Sequence, residues 1–122
     1  MTIMMPSNLA LKRGDVVLVL FPNSDLRTAK PRPALIVQAD DLATKLPQVI
    51  VAMLTSKTFR ANHPSRVLIK IDSAEGKRSG LLSDSVVMTD NLTTILTVGI
   101  ERTIGNLPMR EINKALKHTL GL

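Results

Sequence analysis

The chain has 122 residues, a net charge of +6 and no cysteine; 44% of its residues are hydrophobic and 21% are charged. This composition is that of one folded domain, and the lack of cysteine excludes disulfides, thiolate metal sites and thiol nucleophiles. No apolar run approaches the roughly 20 residues that span a bilayer, so we expect a cytoplasmic, single-domain protein over residues 1–122, loosely ordered over residues 1–11.

Three buried strands are predicted in the first half of the chain. Apolar runs rich in β-branched residues, the second of which extends past Val37 to about Ala39, place them at residues 16–21, 34–39 and 49–54. Residues 22–33 consist largely of turn-forming residues and predict a long loop between the first two strands. Residues 40–47 are compatible with a short helical turn or an irregular connection, and the sequence leaves both open.

Shorter strands and two further loops follow. Residues 57–65 predict a basic loop, residues 66–71 a fourth strand, and residues 72–80 a loop rich in glycine, serine and charge. Residues 85–88 predict a short strand, and the alternation over residues 93–98 is a weaker strand signal.

The last part of the chain predicts one amphipathic helix. Pro108 suits a first helical position, with Asn106 or Leu107 near the cap, and Gly121 is a typical helix end. Apolar residues recur at helical spacing, namely Met109, Ile112, Leu116 and Leu120. Five or six short strands followed by this helix predict a mainly β fold, a small, strongly bent antiparallel sheet or barrel with the helix across one end or face.

The positive charge is concentrated in two segments. Residues 12–32 carry five basic and two acidic side chains, and residues 55–80 carry six basic and two acidic ones. Such segments favour a polyanionic partner such as nucleic acid, although a merely solubilising charge is the alternative interpretation. The only aromatic residues are Phe21 and Phe59, too few for the base-stacking platform of common single-strand-binding modules.

The most informative position is Arg32, which stands between two prolines in Lys30-Pro31-Arg32-Pro33. Both prolines restrict the backbone and hold Arg32 extended, so its guanidinium is rigidly mounted at the start of the second strand. The alternative is a proline-framed turn whose arginine only solvates the loop. If the second and third strands pair antiparallel, Arg32 lies beside Thr55 at one rim. Thr55 and Ser56 alone would be ordinary strand-end residues.

Other catalytic sites find less support in the sequence. Nothing in it brings His63 and His118 together, so a paired-histidine nuclease is not predicted. The ten carboxylates are scattered, and neither a metal site nor a phosphate-binding glycine loop is indicated. We therefore expect no metal and no cofactor.

A series of short motifs runs along the chain in a characteristic order. They are RGDVV at 13–17, FPNSDL at 21–26, KPRPALIV at 30–37, VIVAMLTS at 49–56, GLLSDSVV at 80–87 and IGNL at 104–107. In order and spacing they resemble the MazF/PemK family of toxin endoribonucleases, specifically its shorter members. The resemblance covers essentially the whole chain from Lys12 onward.

This resemblance implies an SH3-like β-barrel with a C-terminal helix, a homodimer, and metal-independent cleavage of single-stranded RNA by attack of the 2′-hydroxyl on the adjacent phosphate. It implies an acidic antitoxin as a partner. The family's catalytic arginine and threonine correspond to Arg32 and Thr55, with Arg32 stabilising the phosphorane. The residues expected to bind RNA are Ser24, Asp25, Lys30, Ser56, Lys57 and Asp90.

Two positions depart from the family pattern. Met88 and Thr93 stand where relatives carry arginines, so activity or the cleaved sequence can differ from theirs. Two alternatives on the same fold therefore stay open. One is a catalytically weak or inactive nucleic-acid-binding or regulatory protein, and the other is a toxin that targets gyrase. Retention of Arg32 and Thr55 favours RNA cleavage over both.

Overall fold

Six strands and two α-helices build the part of the chain that the computed structural model describes, which is residues 10–22, Asp25 and residues 27–122, the side chains of Phe21 and Pro22 excepted. The strands are β1 (Asp15–Pro22), β2 (Ala29–Ile36), β3 (Gln48–Thr55), β4 (Arg66–Ile69), β5 (Ser85–Leu96) and β6 (Ile100–Asn106). The helices are α1 (Ala74–Ser79) and α2 (Arg110–Leu120). The predicted loose segment at residues 1–11 falls almost wholly outside the described residues.

All neighbouring strands are antiparallel, in the order β4-β5-β3-β2-β1-β6. The predicted mainly β fold with a C-terminal helix is confirmed. The strands β4 and β6 are the two edges of the sheet and do not pair with each other. Helix α1 packs on β6, while α2 packs on β4 and β5. None of the described helices is long and apolar enough to cross a membrane.

The sheet buries apolar side chains on both faces. Val17 and Val19 belong to one core cluster with residues of β2, β3, β5 and β6. Val16 belongs to the other, together with Leu35 and Ile112 of helix α2. Because successive strand residues point to opposite faces, burial on both sides explains why residues 16–19 of β1 are all apolar.

Strand β2 differs most from its prediction. It begins at Ala29 rather than Ala34, so Arg32 lies within the strand and not in a loop. Pro31 and Pro33 pair with Leu20 and Leu18 of β1. The strand also ends early, at Ile36, because the N–H groups of the two following residues both donate to the Ile50 carbonyl oxygen at 3.2 and 3.3 Å.

The prolines are tolerated because of where their missing N–H groups would point. Residues two apart in a strand direct their N–H groups to the same side. The ladder with β1 continues past both prolines, whereas the ladder with β3 covers only Ala34–Ile36. Pro31 and Pro33 therefore lack donors on the side where β2 has no partner strand, as strand prolines usually do.

The second half of the chain contains three further differences. The two strands predicted at residues 85–88 and 93–98 are one strand, β5, with an irregularity where it passes Ala52 and Met53 of β3. Strand β6 was not predicted. Helix α1 replaces part of the predicted 72–80 loop.

Both helices have recognisable ends. The Ser73 hydroxyl accepts a hydrogen bond from the Gly76 N–H and caps α1, and Gly80 ends that helix with φ +73°. Helix α2 ends at Gly121, as predicted, but it begins at Arg110, after Met109 rather than at Pro108, and has no side-chain cap.

Gly105 of β6 is needed for the close contact between β6 and α1. A Cβ atom at this position would overlap the backbone of Arg78 and Ser79, whereas a Cβ atom at Gly99 would meet nothing within 4 Å. We expect Gly105→Ala to lower the free energy of unfolding by about 2–3 kcal/mol because backbone atoms cannot move aside cheaply. Urea titration of both variants checks this, with Gly99→Ala as the matched control. Equal stabilities of the two variants would contradict the assignment.

Candidate functional site

The paired part of β2 and β3 stops just before Arg32 and Thr55. The register runs from Ile36 opposite Val51 to Ala34 opposite Met53. Continued by two residues, the same register would set Arg32 opposite Thr55. At this point β3 remains paired with β5 and β2 with β1. The two strands are thus no longer hydrogen-bonded to each other, and a cleft opens between them.

This cleft has a volume of about 730 Å³ and carries an excess of positive charge. Its described cations are Lys30, Arg32, Lys57 and Arg102, and its hydroxyl groups are those of Thr55, Ser56, Ser83 and Ser85. The apolar lining is Leu18, Pro31, Pro33, Leu54, Leu81, Leu82 and Ile104. Among the described lining residues none is acidic, so the cleft suits an anionic ligand.

The cleft floor is one row of residues across four strands. Leu18 of β1 pairs with Pro33 on one side and with Arg102 on the other. Leu54 continues this row on β3, next in register after Met53. Paired residues of neighbouring strands share a face of the sheet, and all four of these residues line the cleft. Residues 80–83, together with Ser85, form a further wall.

The structure brings Arg32 and Thr55 into this one cleft, as the strand-pairing argument predicts. Lys30, Ser56 and Lys57 line the same cleft. The Thr55 hydroxyl accepts a hydrogen bond from the Lys57 N–H at 3.2 Å, which fixes the turn that follows β3. Five of the eight predicted site residues are therefore together.

Ser24 and Asp25 contribute less to this picture. Ser24 lies outside the described residues. Asp25 is exposed, and its carboxylate accepts hydrogen bonds from the N–H groups of Arg27 and Thr28 at 2.9 and 3.1 Å. These hydrogen bonds hold the pKa of Asp25 below its ordinary value, and the bond from Arg27 has the largest effect. Asp25 thus stabilises its own turn, and its role in binding RNA stays a prediction.

Asp90 does not line the cleft. Its carboxylate pairs with the Arg66 guanidinium, with the Arg66 Nη2 atom 2.8 Å from Oδ2 of Asp90. The hydrogen bond from Arg66 is the main cause of a lowered pKa at Asp90. Because Arg66 lies on β4 and Asp90 on β5, this ion pair links two neighbouring strands. An RNA contact by Asp90 stays a prediction.

The two histidines, contrary to the sequence-based expectation, are neighbours. The ring centroids of His63 and His118 are 6.0 Å apart in an edge-to-face arrangement. His63 Nδ1 lies 2.6 Å from the hydroxyl of Ser65, a buried residue. Neither ring lines the cleft. No sequence signal could indicate this contact, because it joins residues 55 positions apart through tertiary packing.

Arg102 is the site residue that the sequence analysis missed. It lies on β6, a strand that was not predicted, and its side chain reaches the cleft only because β6 pairs with β1. A second groove, between β4 and α2, is lined by Leu68 and Ile112 together with Arg110, Glu75 and Glu111. Its mixed charges make it a poorer match for a polyanion than the cleft.

Known proteins are similar to this chain in sequence and in fold. Residues 12–120 match the family model described as PemK-like, MazF-like toxin of type II toxin-antitoxin system. The endoribonuclease MazF2 of Mycobacterium bovis is 32% identical over 107 residues, which cover 84% of this chain and 90% of the relative.

Two solved structures share the fold. A mycobacterial endoribonuclease superposes with a TM-score of 0.67 and 26% identity, covering 93% of each chain. A mycobacterial endoribonuclease in complex with its cognate antitoxin superposes with a TM-score of 0.70 and 23% identity, covering 92% of this chain and 96% of that one.

The Arg66–Asp90 pair makes stability depend on pH. Since the pKa of Asp90 is lower in the folded chain than its ordinary 3.8, the stabilisation is present above pH 3.8 and is lost as the pH falls through the folded-state pKa. We expect Asp90→Asn to lower the free energy of unfolding by about 0.5–1 kcal/mol at pH 7 and by less in acid. Urea titrations at pH 7 and at a pH below 3.8 measure this difference, with the exposed Asp41→Asn as control. An equal loss at both pH values would contradict it.

Proposed function

The chain belongs to the PemK-like, MazF-like toxin family of type II toxin–antitoxin systems, and we propose that it is a toxin endoribonuclease that cleaves single-stranded RNA in the cleft between β2 and β3. The observation that carries this proposal is that Arg32, within β2, and Thr55, at the end of β3, line one cleft with four cations and no acidic residue among its described walls. The name of the M. bovis relative, an endoribonuclease, supports it.

The charge of the cleft supports a single-stranded polyanion as substrate. Lys30 lies on β2, two residues before Arg32, and Lys57 lies two residues after Thr55, so phosphates next to Arg32 and Thr55 meet two further cations. The apolar lining from Leu54, Leu81 and Leu82 offers surface for bases in the same cleft. No aromatic side chain is needed for such binding.

The proposed reaction needs little from the protein beyond charge and position. The RNA 2′-hydroxyl attacks the adjacent phosphorus, the P–O2′ bond forms, and the P–O5′ bond breaks. The proton of the 2′-hydroxyl is removed, the 5′-oxygen gains one, and the products are a 2′,3′-cyclic phosphate and a 5′-hydroxyl. Arg32 stabilises the negative charge of the phosphorane, and the Thr55 hydroxyl holds the phosphate or the attacking group.

The rigidity of Arg32 supports a role in the transition state rather than in loose binding. Its neighbours Pro31 and Pro33 fix their own φ angles, and Arg32 is paired with Val19 of β1, which is buried. A guanidinium carried on a restrained backbone needs less ordering when charge develops, which favours electrostatic stabilisation.

We propose that the cognate partner is an acidic antitoxin segment that becomes ordered as it binds this basic surface. We also propose a homodimer, because Leu46, Leu96 and Val98 are exposed side by side where Thr97 N–H donates to the Pro47 carbonyl at 3.0 Å. The cytoplasm is the proposed location, since a toxin that cleaves mRNA must reach it.

Cleavage of a defined single-stranded RNA tests the proposal. We expect wild-type cleavage to survive EDTA, and Arg32→Ala to reduce the rate by about 100-fold or more because the phosphorane charge loses its main partner. The matched control is Arg110→Ala, which removes the same charge from the start of α2 and should cleave like wild type.

Intact RNA at high wild-type concentration would contradict the nuclease assignment. Binding of RNA without cleavage would then favour the inactive nucleic-acid-binding protein, and inhibition of gyrase-catalysed supercoiling would favour the gyrase-targeting toxin.

The histidine pair provides a second test of the site. If cleavage takes place in the cleft, His118→Gln should leave the rate close to wild type, because His118 lies on α2 beside His63 and away from the cleft. The same single-turnover assay measures this. A loss comparable with that of Arg32→Ala, in a variant with unchanged thermal stability, would move the site to the two imidazoles.

A further inference from the structure

We propose that Arg102 binds a backbone phosphate next to the scissile one and thereby positions the RNA. This inference rests on the proposed function and adds a residue to the same site. The argument draws on the backbone around Arg102, on the lack of a partner for its charge, and on its distance from Arg32.

The backbone around Arg102 is shaped by two irregularities. The pairing of β6 with β1 shifts by one residue between Val16 and Val17 and again between Leu18 and Val19. These shifts leave Ile104 and Glu101 as extra residues on either side of the segment that contains Arg102. Such bulges redirect side chains and are frequent beside active sites. Here they keep Arg102 opposite Leu18, on the cleft floor, while Ile100 stays in the opposite core.

The charge of Arg102 is uncompensated within the described chain. Arg66 is paired with Asp90, and Arg13 donates to the Val37 carbonyl and to the Asn113 side chain. Among the residues that the structure describes, Arg102 has neither an ion pair nor a side-chain hydrogen bond, and it is exposed. An exposed guanidinium in a cleft whose described lining has no carboxylate is available for an external anion.

The distance between the two arginines favours a second phosphate over the reacting one. Arg102 lies on β6, two strands from β2, and two strand spacings amount to about 10 Å. Arg102 is in register with Leu18 and Pro33, and Arg32 is the next residue along β2 from Pro33. Because both arginines line the cleft, a nucleotide chain that crosses this floor contacts them through different phosphates. Arg102 is thus a positioning residue, and Arg32 remains the one at the reacting phosphorus.

The test uses synthetic RNA in which one phosphate beside the mapped cleavage linkage, on the 5′ or the 3′ side, is replaced by an uncharged methylphosphonate. We expect wild type to lose about 10-fold in kcat/KM at one of these two positions, the strength of a charged hydrogen bond. On unmodified RNA, Arg102→Ala should have a kcat/KM about 10-fold lower than wild type, chiefly through KM. The methylphosphonate at the sensitive position should not lower the kcat/KM of this variant further. Arg102→Lys should recover part of the loss.

The assignment would be overturned if Arg102→Ala and the methylphosphonate lowered kcat/KM by independent factors at both positions. An Arg102→Ala variant that cleaves unmodified RNA like wild type would also overturn it. Thermal unfolding of each variant, which we expect to match wild type, separates a binding defect from a folding defect. Arg110→Ala serves as the charge-matched control.

A binding experiment keeps this inference separate from the proposed function. With an RNA made uncleavable by 2′-O-methylation, the slope of log Kd against log salt should be shallower by about 0.7 for Arg102→Ala than for wild type, the value for one lost phosphate contact on a single strand. Wild type that binds with this difference but cuts no RNA would refute the nuclease alone. An unchanged slope, or no RNA binding at all, would refute the role of Arg102.

Discussion

The absence of two backbone donors on one side of β2 is the constraint from which the site follows. Pro31 and Pro33 cannot hydrogen-bond toward β3, so the ladder between these strands ends at Ala34 and Met53. The sheet stays intact around this gap because β2 is paired with β1 and β3 with β5. A cleft thus opens within the sheet, and Arg32 and Thr55 lie on its two sides.

Some cations of the molecule are paired with other groups and some are not, and this difference distinguishes structural cations from functional ones. Arg66 pairs with Asp90, and Arg13 donates hydrogen bonds to a backbone carbonyl and to the Asn113 side chain. The cleft keeps four cations and no described carboxylate. Like charges in proximity repel each other and cost stability, so the arrangement is understandable when a polyanion binds there and offsets the repulsion.

Close backbone contacts at two glycines hold one wall of the cleft in place. Gly80 ends α1 with φ +73° and lies against the Ile104 backbone, and Gly105 lets β6 approach Arg78 and Ser79 closely. These contacts hold the 80–83 segment next to the β6 residues that line the cleft. A wall of the site therefore depends on tight backbone packing far from Arg32 in the sequence.

Much of this architecture follows from the sequence because its signals are local. The apolar runs of β1 and β3, the Gly121 helix end and the mainly β class need only short-range patterns, and antiparallel pairing of consecutive strands was enough to bring Arg32 near Thr55. Tertiary structure alone decided the rest. Strand β2 extends through its prolines because β1 pairs with them, and α1 is stabilised by packing on β6 more than by its six residues. Arg102 and the His63–His118 contact depend on which distant elements become neighbours, which local residue patterns do not encode.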